Sequence, residues 1–463
     1  MTVSTSIVLA DVGLPPLDVP DARPDIAAEE YDRRIAELGS RVDAERVAVY
    51  GDREHFANLA FFCGFDPRFE EALLVVGGGK PVLLVGNEGV SYASLVTADV
   101  DVVLCPSLSL MGQDRRGGPS LADALRAAGV TRGTSIGMVG WKALEPSEWE
   151  ADVPAIAAPA FVVDTVRHLV GADGAVSDAT PIVTSPVDGM RARSSADQIA
   201  AFEWAASRSS RAVARVVAAT APGMTAQEAA GAMSYEGEPL SAHVMFSSGP
   251  EVAVGLRSPS ARPVEVGDAA TTAIGFWGGL CCRAGLVVDG DVVPGSRAEE
   301  YLERLAIPYW RAIATWHETV ELGRTGGAID ETIRDTLAGH GFGPALNPGH
   351  LTHLDEWLHS PVRPGSAEPV VSGMVFQCDI IPDSWSAGWI ANCEDAVAIA
   401  DLALRAELSE RHPAVSARID ARRRIMTDTL GIEIADEILP LSCITAYFPP
   451  FWLSPDKALV CDR

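Results

Sequence analysis

The 463 residues carry 36 Lys and Arg against 63 Asp and Glu, a net charge of −27, and are 48% hydrophobic and 21% charged. A globular chain of this length exceeds what one hydrophobic core usually serves, so two domains are expected, and the negative excess argues against nucleic acid or an anionic membrane as partner. No apolar run approaches the ~20 residues of a membrane helix; even residues 72–85 are broken by Gly77, Gly78, Gly79, Lys80 and Pro81.

Residues 1–24 read as a polar, Pro-bearing arm without the basic start and apolar centre of a secretion signal, which places the chain in the cytoplasm. The eight cysteines (63, 105, 281, 282, 378, 393, 443 and 461) contain no C-x-x-C pair. In that compartment they are expected to be reduced, buried thiols.

Residues 25–180 alternate helical and strand-like segments. Tyr31, Ile35 and Leu38 recur at helical spacing; residues 47–50 form an apolar run, and residues 72–76 and 81–85 flank a glycine-rich turn. Residues 100–104 and 135–139 read as further strands and 121–128 as a helix, giving an α/β domain. Residues 177–188, rich in Ser, Asp, Thr and Pro without periodicity, read as a linker.

The second domain, residues 190–463, opens on a capping box, Ser195 with Gln198, followed by a stripe of Ile199, Phe202, Ala206, Val213 and Val217. A second box, Thr225 with Glu228, starts a shorter helix. Strands are expected at 269–275, 280–288, 374–380, 390–393 and 396–400, with helices at 298–322, bent or broken at Pro308, and at 329–338.

The order of these elements resembles a known family. Residues 191–233, containing PGMTAQE, followed in order by SSGPEVAVGLRSPSARPVEVGD, LGRTGGAIDETIRDTLAGHGF, NPGHLTHLDEW, GMVFQCDIIP and NCEDAVAIA, resemble the pita-bread domain of the creatinase, prolidase and aminopeptidase P superfamily. The stretch YDRRIAELGSRVDAERVAVYGDREHFANLAFFCGF resembles its creatinase-type N-terminal domain. The resemblance implies an α/β N-terminal domain, an α+β pita-bread domain and a homodimer.

Peptidases of that family hold two divalent metals with two aspartates, one histidine and two glutamates. Matched by motif, the aspartate positions fall on Ala273 and Arg283, the histidine on His350 and the glutamates on Asp379 and Glu394. Ala273 has no donor, and a guanidinium is a permanent cation that cannot ligate a metal. A dinuclear centre is therefore not expected; a single divalent ion on His350, Asp379 and Glu394 stays open. The histidine with which creatinase works without metal falls on Arg257, and a later peptidase histidine on Trp357. Strand alternation turns Cys378 and Cys393 away from Asp379 and Glu394.

If the motifs converge, Arg257, Arg283, His353, Glu356 and Trp357 surround the catalytic candidates His350, Asp379 and Glu394, with Asp355 and His359 near them on the connecting segment. Arg283 serves equally as a neutralising cation in a relic site. Trp277, Trp385 and Trp389 line a pocket or pack in the core. The leading expectation is a metal-independent hydrolase or lyase that cleaves a C–N bond in a small carboxylate-bearing substrate. His350 would be its base and Arg257 with Arg283 would bind the anion. The alternatives are a prolidase- or Xaa-Pro aminopeptidase-like metallopeptidase with a rebuilt single-metal site, and a non-catalytic pita-bread binding protein.

Overall fold

The computed structural model describes residues 6–383 and 388–462; Trp385 lies outside them. The chain divides into two compact units, Ile26–Ala192 and Met1–Asp25 with Arg193–Arg463.

The first unit is built on a six-stranded mixed sheet in the order Asp101–Leu104, Val82–Val85, Ala72–Val76, Arg46–Gly51, Ser135–Val139, Ala175–Asp178. Helices Leu121–Ala127 and Ala160–Val170 cover it, burying Leu125, Val162 and Val166 against Ala48, Leu73 and Met138. The stretch 177–188 is not the linker its composition suggested. It contributes the end of the edge strand and the helical turn Thr180–Thr184. Its polar residues satisfy backbone groups: Asp178 accepts from the Thr180 amide and Thr180 Oγ1 from the Gly140 amide, each at 2.9 Å.

The second unit holds a seven-stranded antiparallel sheet. Six strands run in the order His350–Leu351, Val375–Cys378, Asn392–Ile399, Gly279–Leu286, Ala269–Phe276, Leu240–Ser248, and Ile438–Pro440 pairs with Asn392–Ile399. Residues 1–24 are more than an arm, because Ser6–Asp11 pairs antiparallel with Lys457–Asp462 and Trp204 Nε1 donates to the Pro20 carbonyl at 3.1 Å.

The long helix Ala196–Ala219 begins where expected, with Ser195 Oγ accepting from the Gln198 amide. Its small residues let it lie close on the hairpin of Ala269–Phe276 and Gly279–Leu286, burying Ile199, Phe202, Ala206 and Val213. The contact is tight enough to require glycine: a Cβ on Gly278, at φ +112°, would stand 2.0 Å from the Phe202 ring, and one on Gly279 would stand 2.8 Å from the Ala206 backbone. Glu203, buried in the same helix, accepts from Arg418 and Arg422, so its charge is paired where no water reaches it. All eight cysteines are buried as thiols. Among the described residues no helix is long and apolar enough to cross a membrane.

Candidate functional site

Three neighbouring strands carry the site in one row. Ala273 lies opposite Cys282, and Cys282 opposite Glu394, so these three side chains share one face of the sheet. Asp379 follows the strand Val375–Cys378, whose Cys378 pairs with Asp395, and so stands beside Glu394; the next strand supplies His350, opposite Gln377. His350, Asp379 and Glu394 are buried and each offers a ligand atom within 4.8 Å of the others. These are the three residues that the motifs nominated as catalytic.

The arginines behave otherwise. Alternation puts Arg283 on the opposite face, with Cys281, Cys393 and Asp395. Fully buried there, it donates to Asp395 Oδ2 at 2.7 Å and to the carbonyls of Ile444, Tyr447 and Glu394 at 2.6, 2.8 and 3.1 Å. It neither lines the site nor neutralises Asp379. The residue facing Glu394 in its stead is Cys282, whose thiol is pushed up by burial and by the Glu394 carboxylate and lies 3.7 Å from Thr271 Oγ1. Arg257 is also not brought in: half-exposed, it pairs with Glu251 at 2.9 Å, and its carbonyl accepts from the Phe246 amide. The expected two-arginine anion pocket does not form.

The connecting segment does converge on the site. Leu351 and Leu358 exchange backbone bonds with His359 and Leu351 at 2.7 and 2.9 Å, which folds residues 351–359 back on themselves. Glu356 Oε1 thereby comes within 3.0 Å of His350 Nε2, and the Trp357 ring stacks on the imidazole at 4.0 Å and 17°. Trp357 is partly exposed and covers the histidine from outside. His353, buried, meets the edge of Phe202 at 4.9 Å, and His359 Nδ1 accepts from the Ser360 amide. Trp389 packs against Tyr301 and Trp277 is nearly buried, both as core. Cys378 and Cys393 lie on the Arg283 side, as alternation required: Cys393 Sγ approaches Asp395 at 3.9 Å.

The site is rich in negative charge. Burial pushes Asp379 up to about 6 against the pull of His350, with Glu356 adding to the rise. Burial, Asp379 and Glu356 hold Glu394 well above the usual carboxylate range. Burial alone would lower His350, but Glu356 and Asp379 outweigh it and raise the imidazole. Three carboxylates thus face one histidine, while the nearest arginine spends its charge on Asp395. Beside them an apolar patch of Met245, Ala273, Leu280 and Cys282 walls the sheet face.

Two features escaped sequence reasoning. The first is Cys282 in place of Arg283, which the alternation that oriented Cys393 would have revealed once Ala273 and residue 282 were placed in one hairpin register. The second is the contact of Glu356 with His350, which depends on loop closure and leaves no mark in the sequence.

Residues 200–404 match the model of metallopeptidase family M24. Solved structures agree over most of the chain. A dipeptidase, PepE, from Mycobacterium ulcerans is 21% identical, with 81% of this chain and 94% of that one covered and a TM-score of 0.60. A prolidase from Pyrococcus horikoshii is 15% identical over 80% and 95%, TM-score 0.61, and an X-Pro aminopeptidase from Thermotoga maritima has the same identity, coverage and score. No curated protein matches by sequence. The chain therefore shares the two-domain fold of those structures, an α/β N-terminal unit followed by a pita-bread unit, with the M24 match confined to the second.

Proposed function

We propose that the protein is a hydrolase of the M24 type that cleaves an amide C–N bond in a small peptide-like substrate, at a site holding one divalent cation on His350, Asp379 and Glu394. The convergence of one imidazole and two buried carboxylates is the observation that supports this. Asp379 Oδ1 is buried without a hydrogen-bond partner, which is costly unless something fills that place. The donor set fits one ion and not two, since Ala273 offers nothing and the Cys282 thiol stands outside the ligand group. When bound, the ion would polarise the scissile carbonyl and acidify a water.

The chain's own groups supply the rest. Glu394, a carboxylate on the sheet face beside Asp379, would accept a proton from water and return it to the leaving nitrogen. The patch of Met245, Leu280 and Cys282 keeps bulk water from that face. The peptide-like substrate is suggested by the names of the structural neighbours and by the absence of the arginine pair that had motivated a small carboxylate.

A metal-free reaction is the second reading. It is favoured by the raised Asp379 and Glu394, a buried pair that can keep a proton near neutrality and work as acid and base with His350. Elemental analysis of protein purified without chelator, joined to hydrolysis of a dipeptide panel including Xaa-Pro, separates the two. About one equivalent of metal and activity lost on chelation are expected; full activity in metal-free protein would leave the second reading. We also propose a homodimer and a cytoplasmic location, from the family resemblance; light scattering and cell fractionation test them.

A further inference from the structure

Arg208, Arg211 and Arg215 stand three, four and seven residues apart on the helix Ala196–Ala219, which puts them on neighbouring turns of one face. In a chain of net charge −27 this row has no acid beside it, since no Asp or Glu lies three or four residues from any of the three. Like charges at that spacing repel one another and weaken a helix.

Neighbouring segments do not satisfy the row. Arg208 is buried; its Nε donates to Glu238 Oε1 at 2.6 Å and its Nη2 to the Ser234 carbonyl at 2.8 Å, but its Nη1 is buried without a partner. Arg211 is partly buried and its Nε has no partner either. Neither Arg211 nor the exposed Arg215 forms an ion pair or a hydrogen bond with any described residue. Of the facing acids, Glu238 is taken up by Arg208 and by the Glu236 amide, and the Glu236 carboxylate lies exposed, 3.7 Å from Arg208. Burial, followed by the charges of Arg208 and Arg215, pulls Arg211 below the ordinary arginine value, so the three guanidinium groups are close enough to act on one another.

Buried N–H donors left unbonded are costly, and cations gathered together add to that cost. One oxyanion relieves both, by accepting from the free nitrogens and supplying negative charge. A carboxylate has two oxygens and a single charge and suits one guanidinium fork. A phosphate group, with more oxygens and close to two charges, suits a row of them.

We propose that Arg208, Arg211 and Arg215 form a binding site for a phosphate group, as inorganic phosphate or as a phosphate monoester. The site uses none of the residues of the candidate centre and does not depend on the function proposed above.

The test is calorimetric titration with inorganic phosphate and with phenyl phosphate at low ionic strength, with chloride as the blank, joined to thermal melts in phosphate and in matched chloride. Wild type, R211Q, R215Q, the double variant and D379N are compared. Wild type should bind one phosphate per chain and melt higher in phosphate than in chloride. R211Q and R215Q should each bind it roughly 10–100-fold more weakly, and the double variant should lose the response. In chloride R211Q, relieved of repulsion and of an unbonded donor, should melt no lower than wild type. D379N should bind phosphate as wild type does. Tighter binding of phenyl phosphate would identify a monoester as the ligand, and equal or weaker binding the free ion. Equal phosphate affinity in wild type and the arginine variants would overturn the proposal, as would binding lost in D379N, which would put the ion at the candidate centre. A wild type that gains no more from phosphate than from chloride would overturn it too. If that wild type were a dimer by light scattering and the double variant a monomer, the row would belong to a contact between copies instead.

Discussion

Arg283 and Asp395 face each other across two strands on the side of the sheet away from Glu394, at 2.7 Å and with neither reached by solvent. Asp395 Oδ2 also accepts from the Ala446 amide, at 3.0 Å, and Arg283 reaches two carbonyls of the same segment. The pair therefore clasps residues 444–447 to the back of the strands that carry the site. Removing one partner strands the other charge in a dry interior, which costs about 3–5 kcal/mol. Arg283→Ala should lower the unfolding free energy by that order in urea titration. At a temperature where it stays folded, its affinity for metal should remain near wild type; a folded variant with unchanged stability would contradict this account.

The same register makes a prediction about restoring a dinuclear centre. Ala273→Asp with Cys282→Asp places two carboxylates in the row that ends at Glu394, whereas Ala273→Asp with Arg283→Asp places one of them behind the sheet. The first double variant should take up a second equivalent of Mn2+ by elemental analysis, and the second should not and should be far less stable. A second equivalent in the Arg283 variant alone would mean that the strand register is misassigned.

Much of this could be read from the residues. The Ser195 and Thr225 caps fixed two helix starts, because their hydroxyls accept amides that have no other partner. The three catalytic candidates, on separate motifs, meet as the resemblance implied. The failures have local causes. Residues 390–393 and 396–400 read as two strands because Glu394 and Asp395 interrupt the apolar run, yet Asn392–Ile399 is one strand whose charges point to the site on one face and to Arg283 on the other. Helices Leu402–Arg411 and Pro413–Arg424 were not seen, since they bury only Leu408 in the first and Val415, Ile419 and Arg422 in the second, too few for a stripe. At Pro308, where a bend or a break was expected, the helix does not break: a turn of π-helix, Leu302–Ala306, precedes the proline, which sits in the first turn of the next helical segment.

His350 stands at the centre of the proposed chemistry and is held by packing from Trp357 as well as by charge. His350→Ala should reduce turnover of any dipeptide found to be a substrate by about 100-fold or more, the range general acid–base and metal-holding groups supply. Its melting temperature in chelator should also fall, because a fully buried ring stacked on Trp357 and placed beside Glu356 is lost, so turnover is compared at a temperature where the variant is folded. Unchanged turnover would remove His350 from the reaction.

His317 sits apart from the site and carries a pH dependence of its own. Both ring nitrogens are buried without hydrogen-bond partners, and burial, with a smaller push from the Arg283 charge, lowers the imidazole from 6.5 to about 3. Between those values the unfolded chain binds a proton that the native one refuses, so the stability present above pH 6.5 is lost progressively as the pH falls toward 3, by about 1.4 kcal/mol per unit. Asp379 and Glu394, raised in the folded state, act with the opposite sign, so the whole protein's pH curve mixes the two. The difference between wild type and His317→Leu isolates the histidine. Urea unfolding at pH 7 and pH 5 should show the variant losing about 2 kcal/mol less than wild type over that interval, an effect of 1.5 units below the unfolded value. Parallel pH dependences in the two proteins would mean that His317 is protonated, or hydrated, in the native state.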